Sequence, residues 1–166
     1  MLVNAGYVKR AVAATGSHFA SAERQYRYPL ELGCTRPPQS QWTVTGAGSC
    51  MIGKSGKIKI VSATMGKVCD FGVTDVNNMG AAMAPAAADS IMQHLKDTGT
   101  QSDDYDMILT GDLGALGSRI VKDLCWEKGF DISKVHVDCG EIIYKVVENE
   151  FQGGSGAGCS ATVLNS

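Results

Sequence analysis

Apolar residues recur at every fourth position at Met83, Ala87, Ile91 and Leu95, a spacing that predicts an amphipathic helix. Pro85 falls near its start, where a missing N–H is harmless. A second helix is predicted from Ser118, read as its cap, with Ile120, Val121, Leu124 and Cys125 as the apolar face and Gly129 as the C-terminal stop. Strand-like runs surround these helices. Arg10 to Thr15, Met107 to Leu109, Val135 to Val137 and Ala161 to Leu164 each read as a short strand. Trp42, Val44, Cys50 and Ile52, a turn at Lys54-Ser55-Gly56-Lys57, and then Ile58, Ile60 and Ser62 predict a hairpin. Helices alternating with strands, followed by paired strands, predict an α/β fold with mixed sheets covered by helices. Ala5-Gly6-Tyr7 reads as the end of a helix, so the fold is expected to lack an N-terminal part.

Composition narrows the class. The chain has 166 residues, 44% hydrophobic and 19% charged, enough for one real core and outside the disordered range. The net charge of −2, without a block of like charge, argues against a nucleic-acid partner. No apolar stretch approaches the ~20 residues of a membrane span. No basic segment followed by an apolar run opens the chain, so a secretory signal is not expected. The 6 cysteines, Cys34, Cys50, Cys69, Cys125, Cys139 and Cys159, show no metal-ligand spacing. They read as free thiols acting as small buried hydrophobes in a reducing compartment, and no metal is expected.

Candidate chemistry lies at the strand ends. His18, on the Gly-Ser turn after the first strand, stands where α/β proteins place ligand contacts. Asp112, between two glycines, is placed to accept hydrogen bonds or to share a divalent cation with Asp75; a turn-forming Asp is the equal alternative. Residues 20 to 41 read as a long loop whose Arg24, Arg27 and Arg36 offer planar forks for carboxylates. His94 reads as solvated and His136 as structural. Cys159 lies in the run Gly153-Gly154-Ser155-Gly156-Ala157-Gly158-Cys159, ahead of what reads as a strand, so no helix terminus is expected to activate it. Gly111-Asp112-Leu113-Gly114 matches neither the phosphate-loop nor the dinucleotide pattern, and Asn77-Asn78-Met79-Gly80 reads as the entry to a helix.

The segments TGSHFASAERQYRYPLELG, RPPQSQWTVTGAG, VTDVNNMGAAMAPAA, TGDLGALGS, VDCGEIIY and GGSGAGCSA, in this order, resemble the stage V sporulation protein AD family over essentially the whole chain. The resemblance implies a thiolase-like fold of two similar halves. Residues 1–65 would close the first half and 66–166 form most of the second, so the chain resembles the C-terminal half of the family or a fragment of it. In condensing enzymes of that fold, the second half supplies His or Asn near the positions of Gly111-Asp112 and Asp138-Cys139-Gly140. Neither place offers such a group here, and the nucleophilic Cys belongs to a helix outside this sequence. The resemblance therefore implies a non-catalytic protein that binds dipicolinic acid with calcium and aids its transport into the forming spore. Membrane proteins of the same spore operon would be its partners, in the cytoplasm or peripherally at the spore inner membrane. His18, Asp112, Arg24, Arg27 and Asp75 are the expected ligand-binding residues, in a pocket completed by no other cofactor. An acyltransferase or condensing enzyme of the thiolase superfamily is the alternative. Sheet edges and helix faces left uncovered would favour a homo-oligomer.

Overall fold

The computed structural model describes residues 2–21, 37–145 and 151–165. Its elements run β1 Arg10–Ser17, β2 Trp42–Thr43, β3 Gly46–Gly53, α1 Met79–Thr98, β4 Ile108–Thr110, α2 Gly114–Glu127, β5 His136–Asp138, α3 Cys139–Ile143, β6 Gly154–Ser155 and α4 Ala157–Asn165, with a 3-10 turn at Ser102–Asp104 between α1 and β4. The strands form three pairs: β1 with β3 antiparallel, and β2 with β6 and β4 with β5 parallel. The mixed α/β class read from the pattern is the one observed.

Helix α1 starts where the Asn78 side chain accepts the Ala81 N–H at 3.2 Å, so the Asn-Asn turn does carry the chain into the helix. It ends on Gly99 in the left-handed region, with the Gly99 and Thr100 N–H groups returning to Lys96 and Leu95. Gly129 ends α2 in the same way, its N–H and that of Phe130 returning to Trp126 and Cys125. The same pair of bonds, from Gly6 to Val3 and from Tyr7 to Leu2, closes the turn before β1. That is the geometry of a helix end, as the sequence suggested.

The main core lies between α1 and α2. Ala84 and Ala88 meet Leu113, Val121, Cys125 and Ile132, with Ile91, Ile108, Leu124 and Phe130 partly buried around them. Each fully buried Val, Leu or Ile there contributes on the order of 1.5–3 kcal/mol. The helices approach closely because Gly80 faces the Leu113 carbonyl, and a side chain at Gly117 would come within 2.8 Å of the Gly80 Cα. A second cluster of Val44, Cys139 and Cys159 joins β2–β3 to α3 and α4, with Ile143, Tyr144 and Val163 packed against it.

Five expectations about elements need correction. The buried stripe of α1 is Gly80, Ala84, Ala88 and Leu95, while Met83 is exposed. Pro85 lies beyond the first turn of α1, inside the helix. Helix α2 begins at Gly114 and carries Ser118 within it, turned toward the His136 ring instead of capping. The expected hairpin does not form: β3 pairs with β1, and Ile58, Ile60 and Ser62 lie outside any strand and exposed. Ala161 to Leu164 belongs to α4, because its turn of helix sets Thr162 and Gly158 against Gly46. Four residues that suit both periods could not decide this.

Candidate functional site

Parallel pairing sets the C-terminal ends of β4 and β5 side by side, with Thr110 opposite Asp138. Asp138 is fully buried and caps α3. Its Oδ1 accepts from Thr110 Oγ1 at 2.9 Å and from the Leu113 N–H at 3.3 Å. Its Oδ2 accepts from the N–H groups of Gly114 at 3.1 Å and Gly140 at 3.0 Å. The carboxylate thus sits at the start of both α2 and α3, where orphan N–H groups and the helix dipoles favour negative charge.

His136 stands beside it, buried, with Nε2 3.0 Å from Thr110 Oγ1 and Nδ1 3.4 Å from Ser118 Oγ. Thr110 donates its one proton to Asp138, so His136 Nε2 is the donor to Thr110 and Nδ1 accepts from Ser118. Desolvation, aided by Lys122 and opposed by Asp138, lowers the His136 pKa to about 4. The ring is neutral at physiological pH. Its structural reading holds.

Asp112 follows β4 with a φ of 66°, the left-handed region. Its Oδ1 accepts the Gly156 N–H at 2.6 Å and its carbonyl accepts Gln41 Nε2 at 2.6 Å. It therefore fixes the glycine turn that leads into α4. The same turn is held from the other side by Ser17, whose Oγ donates to the Val44 carbonyl at 2.6 Å and accepts the Gly158 N–H at 2.9 Å. His18 is exposed immediately beyond Ser17. Asp112 and Ser17, the residue before His18, thus hold the two flanks of one glycine turn.

The glycines of that turn meet close neighbours, backbone or side chain. A side chain at Gly158 would strike the Gly46 carbonyl and one at Gly140 the Gly154 carbonyl, while Gly156, at φ 97°, faces Ser17 Oγ. These close approaches let α4 lie against β1 and β3. They explain the glycine run without a ligand.

Asp75 is not placed with Asp112 by any contact. It is exposed in the turn before α1, where it accepts the Asn77 N–H at 3.0 Å and Gln39 Nε2 at 3.4 Å. A cation shared by Asp112 and Asp75 finds no geometric support, and no cluster of three His, Cys, Asp or Glu able to hold a metal occurs among the described residues. Arg24 and Arg27, like Arg36 and Cys34, lie outside the described residues.

Two thiols border the site. Cys159 opens α4, so a helix start is present where the sequence suggested a strand. Burial nevertheless pushes its pKa up to about 12, with Asp112, Cys139 and Asp138 adding to the shift. Burial raises that of Cys139 as well. Both are protonated thiols at neutral pH and poor nucleophiles. Cys125 is likewise buried, but Cys50 is exposed and Cys69 half-buried, so the reading of buried small hydrophobes fails for those two.

Sequence reasoning missed the aromatic group beside His18. Phe19 stacks on Trp42 with centroids 5.1 Å apart and planes 12° apart, and Trp42 meets Phe151 at 5.9 Å. The Phe19 N–H is held by Thr45 Oγ1 at 2.9 Å. An aromatic residue directly after His18 was the available signal. His94 was also misread: it is half-buried, with Nδ1 2.8 Å from Thr64 Oγ1 and its ring 6.0 Å from that of Tyr105.

No helix among the described residues is long and apolar enough to cross a membrane. Residues 1–166 match the family described as Stage V sporulation protein AD (SpoVAD). The chain is 54% identical, over 166 residues, to the stage V sporulation protein AD of Bacillus subtilis (strain 168). That alignment covers 99% of this chain and 49% of the relative, so the chain spans about half the length of the curated relative it matches. With the family match over residues 1–166 and this identity in agreement, the chain belongs to the stage V sporulation protein AD family.

Proposed function

We propose that this chain binds dipicolinic acid, as its calcium complex, and takes part in moving it into the forming spore. The observation that carries the reading is the surface around His18. An exposed imidazole stands between Ser17, fixed to the glycine turn, and Phe19, stacked on Trp42. A flat pyridine ring suits an aromatic face, where offset stacking contributes about 0.5–1.5 kcal/mol beyond burial. The imidazole offers a hydrogen bond to one carboxylate. Arg24 and Arg27 would supply forks for the second, and Asp112 would keep the turn that carries the surface in register. Asp75 has no part in this placement. Membrane proteins of the same operon would be the partners in transport, at the inner membrane of the spore.

Acyl transfer is less well supported. Cys139 and Cys159 are shifted away from the thiolate, His136 is committed to Thr110 and Ser118, and Asp138 to backbone N–H groups and Thr110. None is poised as a base near a nucleophile.

The test is an equilibrium titration of the folded chain with dipicolinate, with and without calcium, followed by isothermal titration calorimetry. Saturable binding is expected, weakened about tenfold or more in His18→Ala and in Trp42→Ala while circular dichroism is unchanged. Affinity unaffected by both substitutions would remove the ligand from this surface. No binding by the folded chain would remove the reading for these residues, and turnover of acyl thioesters would favour the enzyme.

A further inference from the structure

A cavity of about 350 Å³ opens between the C-terminal half of α1 and the start of β4. It falls within the range of small-molecule pockets, about 300–1,000 Å³. Met107 and Ile108, which line it, stand at the start of β4, whereas Asp112 and the glycine turn lie beyond the other end of that strand. The cavity is therefore separate from the site described above. Ile91 and Leu95 of α1, together with Met107 and Ile108, give it apolar walls. Segment 64–67 closes one side and is held to α1 at three points: Thr64 Oγ1 lies 2.8 Å from His94 Nδ1, Gly66 backs onto Ser90, and Lys67 pairs with Asp89 at 2.9 Å.

The polar groups of the cavity define what it can hold. Thr98 gives its one proton to the His94 carbonyl at 2.7 Å, so it accepts from Thr100, also at 2.7 Å. Thr100, its own proton spent, accepts in turn from Tyr105 Oη at 2.9 Å. The Tyr105 oxygen thus has its proton committed and keeps its lone pairs for an incoming donor. Across from it, His94 Nδ1 is engaged by Thr64, and Nε2 has no hydrogen-bond partner among the described residues. The His94 and Tyr105 rings, centroids 6.0 Å apart and planes tilted by 59°, line the cavity together with the Met107 thioether. Rings and thioethers both favour contact with an aromatic ligand. Among the described residues no Asp, Glu, Lys or Arg lines the cavity, so an anion would lose its hydration there without a cation to replace it.

We propose that this cavity binds a small neutral aromatic compound carrying a hydroxyl donor, of the phenol class. The ring lies between the apolar walls against Met107, and the hydroxyl donates to the Tyr105 oxygen. The inference does not depend on the ligand reading of the His18 surface.

The test follows the methyl and amide NMR signals of the full chain during titration with p-cresol, toluene and p-toluate. p-Cresol is expected to shift Ile91, Met107 and Ile108 saturably, with a Kd of about 1 mM or below. Toluene, which lacks the donor, should bind about fivefold more weakly, the scale of one hydrogen bond. p-Toluate should not bind. Tyr105→Phe is expected to remove the preference for p-cresol while leaving the toluene affinity unchanged, a difference that general loosening of the fold would not produce. Met107→Ala, at a residue 53% exposed, should weaken both ligands with circular dichroism unaltered. No saturable shift at these residues in the folded chain, or equal affinity for p-cresol and toluene, would overturn the proposal. Binding of p-toluate or dipicolinate at the same residues would overturn it too, because it would reveal an anion site.

Discussion

Four donors converge on the carboxylate of Asp138, three of them backbone N–H groups from the starts of two helices. Asp138→Ala leaves those donors buried and unpaired, and is expected to cost about 3 kcal/mol or more, read as a fall in the urea midpoint. Asp138→Asn is also expected to destabilise, because its amide turns N–H groups toward N–H groups. His136 gives a pH signature. Its folded pKa of about 4 lies below the ordinary 6.5, so the unfolded chain binds the extra proton. The stability contributed by the neutral ring is complete above about pH 6.5 and is lost as pH falls toward 4, by at most about 3 kcal/mol. Urea unfolding at pH 7, 6 and 5 should show a shallower decline in His136→Asn than in the parent. Little of this was legible beforehand. His136 could be read as structural from its place in a strand, but no pattern announces that Leu113, Gly114 and Gly140 point at one carboxylate. The Phe19–Trp42–Phe151 group joins positions too far apart for any local spacing to reveal.

At the scale of elements, α1 and α2 were readable, while α4 was read as a strand and the pairings were not legible. Gly129 announces its helix end because a left-handed residue without a Cβ is what that position needs. The alternation of β3 is equally visible, but its partner is β1, reached across residues 18 to 45, and a period of two does not name a partner. The helix contact offers a test. Gly80→Ala drives a methyl into the Leu113 carbonyl at the α1–α2 crossing and should cost about 2 kcal/mol or more by thermal unfolding. Gly129→Ala meets open space at φ 84° and should cost only about 1–2 kcal/mol, that of its backbone conformation.

Across the whole molecule, order is unevenly distributed. The α1–α2 core holds most of the buried aliphatic side chains, whereas the residues between β3 and α1 are mostly exposed and form no regular element. Local opening should therefore be easiest there. Brief trypsin treatment is expected to cut at Lys57 or Lys59 before any lysine between 79 and 127; mass spectrometry finding Lys96 or Lys122 cut first would contradict this. The α/β class was legible at this scale because periods of two and 3.6 alternate along the chain. The separation into three small strand pairs was not, since it depends on which edges meet.

The bond from the Gly158 N–H to Ser17 Oγ joins residues 141 apart in the chain. A ribosome adding roughly 5–20 residues per second needs about 7–28 s between making the two. Throughout that interval β1 can pair with β3 but has no α4 to lie against, and the glycine turn beside Ser17 cannot form. Synthesis pauses, chaperone occupancy and premature termination before residue 158 would thus all strike the same spot first, however intact the α1–α2 core had become.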